Sequence, residues 1–237
     1  MIVPDTIILA GGMGTRLKSV ISEIPKPMAP IGDTPFLKFL IFTLQRQSIS
    51  HITLSTGFKG EIIEDYFGSG DEEIHIGYYK EDQPLGTGGA IKAALALTST
   101  EHVLILNGDT FFNIDYHTLI KHHLADDADI TIAMRKVNDE DRYGAMIIDS
   151  KRRVQSFTEK AYIDSGYING GIYLIKRDLF DRFNLPEKFS LENDLFSKYV
   201  DELRIYGIPF NEYFIDIGIP EDYDRACKEL PEMIKLY

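Results

Sequence analysis

The chain has 237 residues, 44% of them hydrophobic and 26% charged, a balance that suits one large α/β domain. A formal net charge of -12 excludes a general nucleic-acid binder, which needs a surplus of Lys and Arg against phosphate. The single cysteine, Cys227, excludes an internal disulfide and a cysteine metal cluster, and no apolar run reaches the length of a membrane helix, so the expectation is a cytoplasmic protein without a leader and with no membrane or nucleic-acid partner.

In chain order, an apolar strand over 6–10 runs into Leu9-Ala10-Gly11-Gly12-Met13-Gly14-Thr15-Arg16-Leu17, followed by Pro25-Lys26-Pro27-Met28. A helix is predicted over 36–47, with Phe36, Phe39, Leu40 and Leu44 on one face. A strand over 52–55, a helix over 61–67 and a strand over 74–79 follow. The turn Glu81-Asp82-Gln83-Pro84-Leu85-Gly86-Thr87-Gly88-Gly89 leads to a helix over 90–97. A buried-type strand over 103–106 ends in Asn107-Gly108-Asp109-Thr110, and a helix over 119–124 comes next. This alternation predicts a parallel sheet with helices on both faces.

Beyond residue 128 the rhythm changes. Strands over 130–134, 145–148, 154–158 and 171–174 read as antiparallel additions to the same sheet. A helix over 191–199 with Ser190 as N-cap, strands over 204–208 and 214–217, and a helix over 220–229 complete the chain. Pro231 is expected to break or kink that last helix. With no linker or hexapeptide repeat, one domain spanning 1–237 without a C-terminal β-helix is expected. The aromatic pairs Phe111-Phe112 and Tyr78-Tyr79 suit either a dimer interface or the core, so a homo-oligomer stays open.

Glycines at 11, 12 and 14 allow backbone N–H groups to approach a polyphosphate, and Arg16 and Lys26 add positive charge beside them. The spacing is neither that of a P-loop nor that of a dinucleotide fingerprint. Pro25 and Pro27 stiffen the segment that carries Lys26. Asp109 follows a strand end, where it either offers oxygen to a hard cation such as Mg²⁺ or caps the next segment; Asp216, at another strand end, is its partner for the cation. Glu81 suits guanine, whose adjacent N–H donors one carboxylate accepts together, against the alternative of a solvated loop charge. Gln83 is the rival base reader and favours a pyrimidine. Glu159-Lys160 in isolation reads as an exposed ion pair. The acidic residues of Ser190-Leu191-Glu192-Asn193-Asp194 read first as helix N-terminal charge, and all six histidines as structural or solvated.

The glycine loop with the Pro-flanked lysine resembles the signature of the sugar-1-phosphate nucleotidylyltransferases, and the later motifs extend the resemblance over essentially the whole chain. It implies a Rossmann-like (GT-A-like) fold with a mixed, mostly parallel sheet flanked by helices, a Mg²⁺ cofactor and release of pyrophosphate. It assigns metal binding to Asp109 and Asp216, and catalysis to Arg16, Lys26 and Asp109. Leu9, Gly11, Gly12, Gly14, Thr15, Glu81, Gly86, Thr87 and Gly108 match the nucleotide site. Gly144, Glu159, Lys160 and Asn169 match the sugar-phosphate site, with Lys160 on the phosphate. The likeness runs furthest to members that use GTP on a manno-configured heptose 1-phosphate, so the expected partners are an NTP, GTP favoured, and a sugar 1-phosphate. Mannose, glucose or N-acetylhexosamine 1-phosphate with GTP, UTP or dTTP are the alternatives. A glycosyltransferase of similar fold calls for Asp-x-Asp, which Asp109-Thr110-Phe111 lacks, and a non-catalytic nucleotide-sugar sensor is the remaining alternative.

Overall fold

The computed structural model describes residues 2–12, 24–140, 144–160 and 163–235; at 139–140, 158–160, 163–164 and 234–235 it describes the backbone alone. The elements run β1 (Asp5–Leu9), a 3₁₀ turn (Lys26–Met28), β2 (Pro30–Ile31), β3 (Thr34–Pro35), α1 (Phe36–Arg46), β4 (His51–Thr56), α2 (Gly60–Phe67) and β5 (His75–Lys80). Next come α3 (Gly86–Ala94), β6 (His102–Asn107), β7 (Thr110–Phe112), α4 (Tyr116–Ala125), β8 (Ile130–Glu140), β9 (Gly144–Ile148), β10 (Val154–Lys160) and β11 (Ile163–Lys176). A π-helical segment (Leu191–Ser197), β12 (Ile205–Phe210), β13 (Phe214–Asp216) and α5 (Pro220–Lys235) complete them.

One nine-stranded sheet carries the order β10-β9-β11-β6-β1-β4-β5, and β8 pairs with both β11 and β12. β1 is parallel to β4 and β6, and β4 to β5; β11 is antiparallel to β6, β8 and β9. This is the expected mixed, mostly parallel sheet, and β12, for which the sequence suggested no direction, joins β8 in parallel. Adjacent residues of β1 face opposite sides, so Ile8 enters a core with Phe36 and Leu40 of α1, while Ile7 enters a second core with Ile91 of α3. β6 repeats the pattern: Leu104 and Leu106 join the first core, Val103 and Ile105 the second. Strands buried on both faces explain why these segments read as continuous apolar runs. Phe111 and Phe112 belong to the core, whereas Tyr78 and Tyr79 are partly exposed. Among the described residues no helix is long and apolar enough to cross a membrane.

Several boundaries differ from the sequence expectation. α3 begins at Gly86, not at residue 90, because packing on the segment before Leu191 holds the glycines in the first turn despite their poor helix propensity. β11 is far longer than 171–174, and its register against β8 shifts between Asn169 and Tyr173, so a periodicity search sees only its apolar half. The helix expected over 191–199 is a π-helical segment ending at Ser197, although Ser190 does cap it by accepting the Asn193 N–H at 3.2 Å. Pro231 does not end α5: Tyr223, Ala226 and Leu230 bury one face and Met233 continues that stripe onto the core. Tertiary packing there outweighs one lost backbone hydrogen bond.

Candidate active site

Chain order reverses beside β1. β4 and β5 are laid down on one side of it, and β6 on the other. Such a switch point leaves a crevice beyond the carboxyl ends of the strands. The two exits are tied together, with the Gly108 N–H donating to the Leu9 carbonyl at 2.9 Å. A cleft of about 390 Å³ opens there, lined by Leu9, Gly11, Gly12, Glu81, Gly86, Thr87 and Gly108 together with Lys26 and Asp109. The structure therefore gathers these expected nucleotide and catalytic residues into one place. Gly14, Thr15 and Arg16 lie outside the described residues.

Lys26 is held by its own proline frame. Pro25 is extended (φ -59°, ψ 143°), and the Met28 and Ala29 N–H groups close the 3₁₀ turn onto the Pro25 and Lys26 carbonyls at 2.8 and 3.0 Å. The lysine side chain is only 9% exposed, and its Nζ donates to Asp109 Oδ2 at 2.6 Å and lies 3.7 Å from Asp216 Oδ1. β13 brings in Asp216: it pairs antiparallel with β7, placing Asp216 opposite Thr110, and the Ile217 N–H donates to the Asp109 carbonyl at 3.0 Å. Two acids more than a hundred positions apart in the chain thus share one ammonium group.

The same pair fits a divalent cation. Two adjacent carboxylates, 37% and 24% exposed, offer hard oxygen donors at the edge of the cleft that Asp109 lines. Among the described residues no third His, Cys, Asp or Glu joins them. A small hard cation held by one or two carboxylates takes its remaining ligands from phosphate oxygens and water.

Glu81 lies between the glycine loop and the turn before α3. Its Oε2 accepts the Leu85 N–H at 3.0 Å and its Oε1 lies 3.4 Å from Ser55 Oγ. Each oxygen keeps acceptor capacity for a ligand. A Cβ on Gly11 would fall 2.5 Å from Glu81 Oε1 and 3.3 Å from the Gly57 backbone nitrogen, so a side chain there would displace the Glu81 carboxylate from its place against the loop.

The residues expected to hold the sugar phosphate lie on neighbouring strands. Gly144 opens β9 and pairs with Lys160 of β10. Asn169 lies on β11 near the end of β6, donating to the Tyr173 hydroxyl at 2.8 Å and accepting the Gly171 N–H at 2.9 Å. Burial pushes the Tyr173 hydroxyl pKa well above its usual value, and the neighbouring Glu192 carboxylate adds to the shift. The side chains of Glu159 and Lys160 are outside the described set.

Sequence reasoning missed some of this site. Asn107, Pro84, Ala90 and Gly218 line the cleft; the only signal for them was adjacency to motif residues. Glu192 is not a helix-terminal charge alone: Thr87 Oγ1 and the Tyr173 hydroxyl donate to it at 2.9 and 3.0 Å. Asp194 does serve the helix start, accepting the Ser190 N–H at 2.7 Å. His102 and His123 are buried and joined at 3.0 Å, away from the cleft, in keeping with a structural reading.

A family model described as Nucleotidyl transferase matches residues 5–232. The D-glycero-alpha-D-manno-heptose 1-phosphate guanylyltransferase of Aneurinibacillus thermoaerophilus is 46% identical over 230 residues, covering 97% of this chain and all of the relative. The enzyme of the same name from Campylobacter jejuni is 48% identical, covering 92% and 96% of the two chains. The crystal structure of HddC from Yersinia pseudotuberculosis complexed with GMP-PN superposes with a TM-score of 0.84 at 38% identity, covering 96% of this chain and 99% of that one.

Proposed function

The chain belongs to the nucleotidyl transferase family, and on that premise we propose that it transfers GMP from GTP to a sugar 1-phosphate, D-glycero-α-D-manno-heptose 1-phosphate first among them, releasing pyrophosphate in the cytoplasm. The observation that carries this reading is the meeting of Lys26 and Asp109, which line the cleft at the switch point, with Asp216 beside them. Names of relatives at 46% and 48% identity over nearly the whole chain support the guanylyl and heptose specificity.

The reaction forms a bond between a sugar-phosphate oxygen and the α-phosphorus of GTP. The bond from that phosphorus to the bridging oxygen breaks, and pyrophosphate leaves with the electron pair. The attacking phosphate is already an anion, so no protein base or nucleophile is needed. The barrier consists mainly of repulsion between anions and of alignment. Asp109 and Asp216 would hold a divalent cation, Mg²⁺ on this reading, which when bound supplies positive charge to the phosphate oxygens. Lys26 turns from the two carboxylates to the α-phosphate. Gly11, Gly12, Gly14 and Thr15 hold the triphosphate, and Arg16 takes the charge that builds on pyrophosphate. Glu81 accepts the guanine N–H donors beside Gly86, Thr87, Leu9 and Gly108. Lys160 anchors the incoming phosphate, while Glu159, Asn169 and Gly144 hold the sugar.

The test is pyrophosphate release with Mg²⁺ across GTP, UTP, dTTP, CTP and ATP against heptose, mannose, glucose and N-acetylhexosamine 1-phosphates. GTP with the manno-heptose substrate is expected to give the highest kcat/KM. Preference for UTP would overturn the role of Glu81, and no release with any pair would overturn the enzymatic reading.

A further inference from the structure

Thr87 and Asn169 fall in different halves of the site, yet one carboxylate joins them. Thr87 Oγ1 accepts the Leu191 N–H at 2.9 Å and donates its own proton to Glu192 Oε2 at 2.9 Å. Ser190 Oγ donates to the same oxygen at 3.1 Å. The other oxygen, Oε1, accepts the Tyr173 hydroxyl at 3.0 Å. That hydroxyl accepts from Asn169 Nδ2 at 2.8 Å, and Asn169 Oδ1 accepts the Gly171 N–H at 2.9 Å. Tyr173 is 1% exposed, so water does not substitute in this chain of bonds.

We infer that Glu192 is a positioning residue that sets the orientation of the Asn169 amide through Tyr173 while it anchors Thr87, holding the sugar side and the nucleotide side of the cleft in one relation. The inference rests on the assignment of those two sides under Proposed function. Its physical content is a direction of hydrogen bonding. A carboxylate only accepts, so every proton in the chain points toward Glu192. Asn169 is therefore forced to donate to Tyr173, and its carbonyl oxygen stays on the Gly171 N–H.

Glu192→Gln reverses part of that order. The amide oxygen stays with the two donors from Thr87 and Ser190, and the NH₂ faces Tyr173. The hydroxyl then accepts from Gln and turns its proton toward its two remaining side-chain partners, Asn169 and Asn107; the share taken by Asn169 turns its amide over and releases the Gly171 N–H. The nucleotide side is spared. Tyr173→Phe cuts the same link without touching Thr87, and Glu192→Ala removes both anchors.

Steady-state kinetics on the whole protein should show the KM for sugar 1-phosphate rising about five- to tenfold in E192Q and Y173F. The KM for GTP should stay within about twofold and kcat within about threefold. E192A should raise both KM values. A merely structural role would lower the active fraction, and hence kcat, with neither KM moved. Hydrogen exchange of the free protein gives a readout that needs no substrate: the Gly171 amide should lose protection about five- to tenfold in E192Q, with the Leu191 amide unchanged. Unchanged Gly171 protection, or a rise confined to the KM for GTP, overturns the inference. If the unsubstituted protein releases no pyrophosphate, the proposed function fails, and Gly171 exchange still decides whether Glu192 orients Asn169. Y173F, which removes a single oxygen, provides the same reading if E192A fails to fold.

Discussion

Lys26 illustrates how one residue serves two states of a site. With its ammonium against Asp109 and near Asp216, it neutralises acids that would otherwise repel each other in a partly buried place. With phosphates present, the same ammonium has a stronger set of oxygens to serve. Lys26→Met keeps the bulk and removes the charge. Its kcat is expected to fall by about 10² to 10³, the size of effect seen when one preorganised donor to a developing charge is removed. The midpoint of thermal unfolding should also fall and recover in part when a divalent cation is added. A kcat within threefold of the unsubstituted protein would sink the catalytic role. The position of Lys26 was legible in the sequence because two prolines frame it. Its contact with Asp216 was not, since nothing local links residues that far apart.

At the scale of elements, the turn into α3 shows how tightly a loop is built on its neighbour. The Phe189 carbonyl accepts the Gly88 and Gly89 N–H groups at 3.0 and 3.3 Å, and the Phe189 N–H donates to the Leu85 carbonyl at 3.0 Å. A Cβ at Gly89 would lie 2.4 Å from the Glu187 carbonyl oxygen, a backbone atom that has little room to give. Gly89→Ala should therefore cost about 1–3 kcal/mol of stability through overpacking. Because the strain falls on the turn beside Thr87 and Glu81, the KM for GTP should rise as well. Chemical denaturation and nucleotide titration check the two effects separately. The glycine pattern announced a tight turn before a helix, but not the partner that makes it tight. That partner, the segment before Leu191, comes from the other end of the chain.

The whole molecule carries a pH dependence that sits away from the cleft. His123 is 1% exposed; its Nε2 lies 3.0 Å from His102 Nδ1 and its Nδ1 lies 2.8 Å from Thr131 Oγ1. Burial first, then the neighbouring His102 and Lys176, pushes its pKa from 6.5 down to about 3. A depressed histidine adds stability that is present above its unfolded pKa and is lost as pH falls below it. The loss should begin near pH 6.5, at a slope approaching about 1.4 kcal/mol per pH unit for one proton. Asp129 adds a later loss. Its burial pushes its pKa up, but hydrogen bonds from Arg204 and Arg182 hold it below the usual range, so its contribution fades only below about pH 4. Unfolding midpoints measured from pH 7 to pH 4.5 should fall steadily in the unsubstituted protein and more gently in His123→Gln. Parallel slopes would rule out the buried histidine as the cause.

The two-sided burial of β1 and β6, the β-α-β rhythm and the residue types around the glycine loop were all determined by the sequence itself. They depend on local periodicity, on backbone freedom at glycine and on the charge carried by each side chain. What only the tertiary structure decided was adjacency: the Lys26 ammonium on Asp109 and near Asp216, Glu192 between Thr87 and Tyr173, His102 against His123, and α5 running on through Pro231. Those outcomes follow from pairing and packing between segments distant along the chain, and no window of neighbouring residues carries that information.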